Sequence, residues 1–415
     1  MALATIEQAL EALKAGKVIL VADDEDRENE GDAIIAAQFA TEELIAWMVK
    51  HTTGFLCAPM DEARANELEL PLMTIRNEDP HGTNYTVTVD ASNRESTGVS
   101  AKDRALTVRT LASEGSGPES LIRPGHVLPL RAHPHGVHGR RGHTEAAVDL
   151  LKLAGLTPVG VIGEMLSADG SMMRMSELQE FGAKEGLPVI TIEQLVEYLK
   201  EQNIVHTSNP NNRIRFEAEA NVPTIHGTFK LRGYYDIKTG ADHVAIIKGN
   251  PTGEDVLVRM HSECITGEAF GSLKCECGPQ LQYAMDMIEA DPKGGIVIYL
   301  RGQEGRGIGL LNKLKAYALQ EQGLDTVEAN LALGLPSEAR EYGAAVSILR
   351  ELGVKSVRLM TNNPAKANFL TEAGIPVNSY VPVIVGEAIQ NLGYLETKRS
   401  KMGHMLPQVI AEMEK

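Results

Sequence analysis

IEQALEALKAGKVILVADDEDRENEGDAII, residues 6–35, reads as a helix, a strand, a charged turn and a second strand. Ile6, Leu10 and Leu13 recur at helical spacing, and Val18-Ile19-Leu20-Val21 follows as a short apolar run suited to a strand. Ala33-Ile34-Ile35-Ala36 resumes the apolar character after the charged turn. This is an α/β or α+β pattern. Further along, a helix is expected through Leu195, Val196 and Leu199, after which Thr207-Ser208-Asn209-Pro210-Asn211-Asn212 interrupts every periodicity with turn formers. A second alternation then begins: strand Ile296 to Leu300, helix near Leu310 to Leu319, helix near Ala339 to Leu352, strand Val357 to Met360. Two unrelated domains are expected, residues 1–204 and 205–415, each a mixed sheet covered by helices. No internal repeat relates them.

The 415 residues suffice for two or three cores, and 43% hydrophobic with 23% charged residues is a folded composition. Aromatics are only 4%, so the cores must be aliphatic. The first 200 residues carry 18 basic against 31 acidic side chains, the remainder 22 against 25. Such a chain is a poor general binder of nucleic acid. No apolar run reaches membrane-spanning length, and Met1 to Leu20 lacks the layout of a signal peptide, so a cytoplasmic protein without membrane contact is expected. Of four cysteines, three crowd between 264 and 277, which fits a metal site in a reducing compartment better than disulfides.

Asp23 to Asp32 holds seven carboxylates in ten residues. A solvated loop is the plainer reading of a charge run. Its position between two apolar strands argues that part of it is held near the core, where carboxylates with one arginine suit a hard divalent cation and a phosphorylated or polyhydroxylated ligand. Downstream, Arg140-Arg141-Gly142-His143-Thr144-Glu145 precedes a helix face of Ala147, Val148, Leu150, Leu151 and Ala154. Thr144 is expected to cap that helix, with backbone N–H groups and two arginines converging on an anion. His143, beside it, is either structural or a ligand.

These blocks, with Ser96 to Arg104 and Arg123-Pro124-Gly125-His126-Val127, resemble 3,4-dihydroxy-2-butanone 4-phosphate synthase over residues 1 to about 200. The resemblance implies conversion of ribulose 5-phosphate to dihydroxybutanone phosphate and formate with Mg²⁺ (or Mn²⁺). It implies a metal on Glu28 and His143, and substrate contacts from Arg27, Glu28, Asp32, Arg140, Arg141, Gly142, His143, Thr144 and Glu164. His126 and Glu164 match the essential catalytic positions. His133, His135 and His138 match no metal motif and read as surface variation. Where the family often has Cys before its essential glutamate, this chain has Gly163.

In the second half, Cys264 and Cys275-Glu276-Cys277 place three thiols within reach of one ion. Three protein ligands with an open fourth position is a catalytic zinc arrangement; the alternatives are a structural site closed by His261, or buried thiols. Arg301-Gly302-Gln303-Glu304-Gly305-Arg306-Gly307-Ile308-Gly309 follows the strand at Leu300 and precedes a helix. It reads as a tight connection or as a phosphate cradle, and its two arginines and glutamate favour a ligand. It lacks the Gly-Lys-Ser/Thr ending of a P-loop.

With Asp325 to Asn330, Ala339 to Tyr342 and Thr361 to Lys366, these blocks resemble GTP cyclohydrolase II from about residue 205 to His404. That implies Zn²⁺ on Cys264, Cys275 and Cys277, with Mg²⁺ accompanying GTP. It implies GTP contacts from Arg259, Met260, His261, Ser262, Glu263, Gln280, Glu304, Gly305, Arg306, Thr326, Thr361 and Lys366. Arg340 matches the nucleophile toward the α-phosphate, with its acidic partner two residues earlier. That partner is usually Asp, and here it is Glu338; the extra methylene is expected to displace the proton acceptor by about 1 Å and slow turnover. Together the halves imply a bifunctional enzyme at the entry to riboflavin biosynthesis, most simply a homodimer. A zinc-dependent nucleotide-binding regulator would need none of these acid–base groups.

Overall fold

The computed structural model describes residues 3–75, 77–204 and 213–406. These fall into two compact units, one around each of two seven-stranded sheets. The turn-forming stretch from Thr207 to Asn212 lies outside the described residues.

The first sheet comprises β1 (Ile19–Ala22), β2 (Gly31–Ala36), β3 (Cys57–Met60), β4 (Val89–Ala91), β5 (Leu121–Arg131), β6 (Gly160–Glu164) and β7 (Val189–Thr191). Their spatial order is β4-β5-β3-β6-β2-β1-β7, mixed in direction: β1 pairs antiparallel with β2 and parallel with β7. Alternate residues feed opposite apolar layers. Leu20, Ala33, Ile35 and Met60 join Met48 and Leu111 on one face, and Ile19, Val21 and Ile34 join Leu10, Leu13, Leu150 and Leu195 on the other. Helices on both faces explain why these strands read as unbroken apolar runs. Each buried Leu or Ile contributes roughly 2 kcal/mol.

The second sheet comprises β8 (Ile214–Thr224), β9 (Gly227–Asp236), β10 (Asp242–Gly249), β11 (Val256–Ser262), β12 (Gly294–Leu300), β13 (Val357–Met360) and β14 (Val377–Val381), ordered β14-β13-β11-β12-β10-β9-β8. The β8 to β10 side is antiparallel, whereas β11, β12, β13 and β14 run parallel. Here both faces of the central strands are covered, while β8 is largely exposed. Val258, Ile296 and Ile298 lie in one layer, Leu257, Val297 and Met360 in the other.

The helix expected from Ala339 starts later, at Gly343, and ends at Glu351. Glu338 and Glu341 turn their carboxylates onto the backbone N–H groups of Arg340 and Gly343, and Ala339 N–H donates to Arg306 C=O at 3.0 Å. These local bonds compete with helical ones and hold 337–342 non-helical. No helix among the described residues is long and apolar enough to cross a membrane.

Candidate active sites

In the first unit, residues 23–30 connect β1 to its antiparallel neighbour β2. They are not a solvated loop. The Asp23 carboxylate is buried and accepts from Glu28 N–H (3.1 Å), Glu30 N–H (2.8 Å) and Arg27 Nη1 (2.8 Å). Three donors on one carboxylate fold the acidic run around it, and Arg27 also meets Glu28 Oε2 at 2.7 Å. This turns Glu28 toward His143, whose Nδ1 lies 3.7 Å from Glu28 Oε2 and 3.6 Å from Asp32 Oδ1.

His143 opens the helix His143–Leu153, and Gly142 is its N-cap. The expected cap at Thr144 is therefore corrected. The helix begins one residue before it, which places Thr144 inside the first turn and brings His143 to the acidic loop.

Asp32 Oδ1 and His143 Nε2 are buried without a hydrogen-bond partner. Ligand atoms of Asp23, Glu28 and His143 lie within 4.8 Å of one another. Oxygen donors plus one imidazole, with orphaned polar atoms between them, fit a hard divalent cation. Burial pushes the Asp32 carboxyl up to about 7, with the nearby Glu164 and Glu28 charges adding to it and His143 opposing. Burial would lower His143, but Asp32 and Glu28 outweigh it and raise the imidazole to about 9. Glu28, although burial opposes ionisation, is held at about 2 by His143 and Arg27.

Glu164 stands opposite Asp32 across the β2–β6 pair and accepts from Thr53 Oγ1 at 2.7 Å. Arg140 is taken up by protein partners: Glu145 Oε2 at 2.7 Å, Thr83 Oγ1 at 2.7 Å and His81 C=O at 2.9 Å. Arg141 is half exposed, 3.6 Å from Asp24. His126, on β5, is not joined to this cluster; its Nδ1 meets Asp90 Oδ2 at 2.9 Å. Gly163 has no room for a side chain, since a Cβ there would lie 2.9 Å from Thr52 Oγ1.

In the second unit, β11 delivers Arg259 to Ser262, and the chain then turns through Cys264. Cys264 Sγ is 3.6 Å from Cys275 Sγ, and all three sulfurs, with Cys277, lie within 4.8 Å of one another. Two sulfurs on a tetrahedral ion with ~2.3 Å bonds would sit ~3.8 Å apart. A Cβ on Gly267 would approach Cys275 Sγ to 2.8 Å and Cys264 Sγ to 3.2 Å, so the cradle is closed by backbone alone. Contacts from Cys275 and Cys277 pull the Cys264 thiol down, with Lys313 assisting, while Cys264, Cys275 and burial drive Cys277 up. A bound cation would favour the thiolate form of all three.

His261 does not complete the site. Its Nε2 is committed to Glu268 Oε1 at 2.8 Å and its ring stacks on Tyr299 at 5.8 Å. Among the described residues no fourth Cys, His, Asp or Glu atom joins the three sulfurs.

The sulfurs line a cleft with Arg259, Gln280, Arg306, Arg340, Thr361 and Lys366. His261, Ser262, Glu263, Gly305 and Thr326 also reach it. Met260 instead offers its carbonyl to Lys366 Nζ at 2.8 Å, and Glu304 sits behind the wall. Positive charge dominates. Burial drives the Lys366 amine well below its ordinary range, and Arg259 and Arg340 push it further. Both Nη atoms of Arg306 are buried and without hydrogen-bond partners, which suits them to an anionic ligand. Arg306 adopts φ 65°, which directs it inward from the glycine turn.

Sequence reading missed several lining residues. Lys398 pairs with Glu276 and lies 4.5 Å from the Tyr394 ring centroid; His404 is lowered to about 3 by burial and by Lys398, Arg340 and Arg306. Gln303 accepts from Ser262 Oγ and donates to Glu341 C=O, each at 2.7 Å. The Glu338 carboxylate grips Arg340 at both ends of the guanidinium, Nε to Oε1 at 2.7 Å and Nη2 to Oε2. The same carboxylate also accepts from Arg340 N–H at 3.0 Å.

Comparison with known proteins assigns a family to each half of the chain. The 3,4-dihydroxy-2-butanone 4-phosphate synthase family matches residues 7–198, and the GTP cyclohydrolase II family matches 215–382. The riboflavin biosynthesis protein RibBA of Salinispora arenicola is 51% identical over 403 residues, covering 97% of this chain and 94% of the relative. That of Mycobacterium marinum is 51% identical over 409 residues, with the same coverage. A solved 3,4-dihydroxy-2-butanone 4-phosphate synthase in complex with two magnesium ions is 44% identical, covers 48% of this chain and 98% of its own, and gives a TM-score of 0.47. The chain belongs to the RibBA family of bifunctional riboflavin biosynthesis proteins, with a 3,4-dihydroxy-2-butanone 4-phosphate synthase domain followed by a GTP cyclohydrolase II domain.

Proposed function

We propose that the acidic loop and His143 convert ribulose 5-phosphate to 3,4-dihydroxy-2-butanone 4-phosphate and formate, and that the sulfur-lined cleft converts GTP to 2,5-diamino-6-ribosylamino-4(3H)-pyrimidinone 5′-phosphate, formate and pyrophosphate. The observation that carries this reading is the convergence, in one cleft, of three thiols, the side chains of Arg259, Arg306 and Lys366, and a guanidinium paired to a carboxylate.

In the first domain, Glu28 and His143 hold Mg²⁺ or Mn²⁺, supported by Asp23, and the ion polarises sugar oxygens so that an adjacent carbon-bound proton becomes acidic. Arg27, Arg140, Arg141, Gly142 and Thr144 flank the substrate. Asp32, with its carboxyl near 7, is suited to accept and return a proton at neutral pH. Glu164, oriented by Thr53, acts beside it. His126, held by Asp90, contributes a second proton carrier, and the chain works as a homodimer in the cytoplasm.

In the second domain, Cys264, Cys275 and Cys277 would hold Zn²⁺, which when bound would supply the Lewis acidity needed to open the purine imidazole ring. Arg259, Arg306, Lys366 and Lys398 neutralise the triphosphate, which enters with Mg²⁺. His261, Ser262, Glu263, Gln280, Thr326 and Thr361 position the nucleoside, while Met260, Glu304 and Gly305 shape the wall. Arg340 attacks the α-phosphorus, the α–β phosphoanhydride bond breaks and pyrophosphate leaves; water then cleaves the Arg340–phosphorus bond to regenerate the guanidinium. The proton it must lose goes to Glu338, its hydrogen-bonded carboxylate among the described residues.

Metal analysis and two formate-release assays on one preparation test this. Formate from both ribulose 5-phosphate and GTP is expected; formate from one alone removes the bifunctional reading.

A further inference from the structure

Lys313 lines the same cleft, yet no sequence motif singles it out. It lies on the helix Leu310–Gln320, where a lysine ordinarily reaches outward to water. Here its Nζ is buried, 3.0 Å from Cys264 Sγ, 2.6 Å from Thr266 Oγ1 and 2.5 Å from Glu304 Oε1. An ammonium has three N–H donors, and these three acceptors use all of them. Glu304 in turn accepts from Ile265 N–H at 2.5 Å, next to Cys264. The ammonium is thereby fixed in direction, toward the sulfur at the wall of the cleft.

Three thiolates around a divalent cation leave one negative charge in excess. Lys313 is the cation in contact with that excess. An N–H···S bond draws electron density from the sulfur, so the metal it ligates keeps more of its positive character.

We propose that Lys313 is a positioning residue for the zinc centre: its ammonium hydrogen-bonds the Cys264 thiolate, fixes that sulfur in the three-ligand set and keeps the bound metal a stronger Lewis acid than three bare thiolates would. This rests on the zinc reading given above and adds to it a residue outside the ligand shell.

Two full-length variants test it, Lys313→Met and Lys313→Met combined with Glu304→Gln, the second avoiding a stranded carboxylate. Zinc affinity is measured by chelator competition, and the sulfur-to-metal absorption band is recorded after Co²⁺ substitution. Both variants are expected to bind zinc ~10- to 100-fold more weakly, with the cobalt band moved to lower energy because Cys264 has lost its hydrogen bond. A folded double variant with zinc affinity within ~twofold of the parent and an unmoved band overturns the proposal. A parent protein that takes up Co²⁺ without any thiolate band overturns the zinc reading itself, a different failure.

Discussion

Glu338 and Arg340 face one another through paired hydrogen bonds, with the Arg340 backbone N–H donating a third to the same carboxylate at 3.0 Å. A glutamate two residues before the arginine therefore reaches both ends of the guanidinium. The pairing holds Arg340 protonated, above its ordinary range despite burial. Catalysis by this arginine is thus a question of when Glu338 accepts its proton.

Glu338→Gln keeps the shape and removes the proton acceptor, so kcat for formate or pyrophosphate release from GTP is expected to fall 10²- to 10⁴-fold, the range of a lost general base. Glu338→Asp keeps the charge but shortens the reach, with an expected loss of ~10- to 100-fold. Single-turnover measurement separates chemistry from release. An Asp variant at parental speed would show that the spacing found here does not limit the reaction.

Gly267→Ala inserts a methyl where Cys275 Sγ lies 2.8 Å away. Metal content in the second domain is expected to become substoichiometric and formate from GTP to fall with it, while formate from ribulose 5-phosphate is retained. Unchanged zinc content would show that the cysteine loops relax around the added carbon.

Asp23→Ala removes the acceptor of three hydrogen bonds that shape the acidic loop. The direct metal ligands remain, yet the Mg²⁺ concentration needed for half-maximal formate release from ribulose 5-phosphate is expected to rise ~10- to 100-fold. Chelation followed by Mg²⁺ titration reads this directly. A parental titration curve would place Asp23 outside the metal environment.

What was legible in the sequence, and what was not, follows from where each signal resides. The strands at Ile296 to Leu300 and Val357 to Met360 could be read because helices cover both sheet faces, which demands unbroken apolar runs. The β8–β9 hairpin was passed over although β8 alternates Ile214, Phe216, Ala218, Ala220 and Val222 with Arg215, Glu217, Glu219 and Asn221; the strand is largely exposed, and its apolar positions are too small and sparse to stand out as a core run. The cysteine triad and Arg340 announced themselves by spacing and type. Asp23 did not, since one carboxylate among seven carries no mark of being the buried one. Lys313 looks like any solvent-facing helical lysine, and Lys398 lies more than a hundred residues from its partner Glu276. The late start of the helix at Gly343 depended on side chains capturing backbone N–H groups, a competition that apolar spacing does not report.

Asp149 supplies a signed pH dependence. Burial raises its carboxyl from 3.8 to about 6, against the opposing N–H of Val137. The folded state therefore binds this proton more tightly than the unfolded chain. The stabilisation is fully present below 3.8 and is lost as pH rises through 6, by on the order of 3 kcal/mol. Denaturant unfolding of the first domain at pH 5 and pH 7.5 is expected to show a smaller loss in Asp149→Asn than in the parent. Equal losses would show that Asp149 carries no net proton linkage.

Arg306 separates binding from stability. Its Nη atoms are buried without hydrogen-bond partners, so the free protein carries part of the desolvation cost of that charge, which an anionic ligand would offset. Arg306→Met removes that cost in the free protein and removes the counter-charge in the complex. The variant is expected to melt at a higher temperature without nucleotide and to bind GTP more weakly by ~2 kcal/mol or more, about a 30-fold rise in Kd. Thermal unfolding with and without GTP measures both from one preparation. A variant that melts lower in the absence of nucleotide would mean that the Tyr394 ring, 5.8 Å from the guanidinium, already offsets the charge.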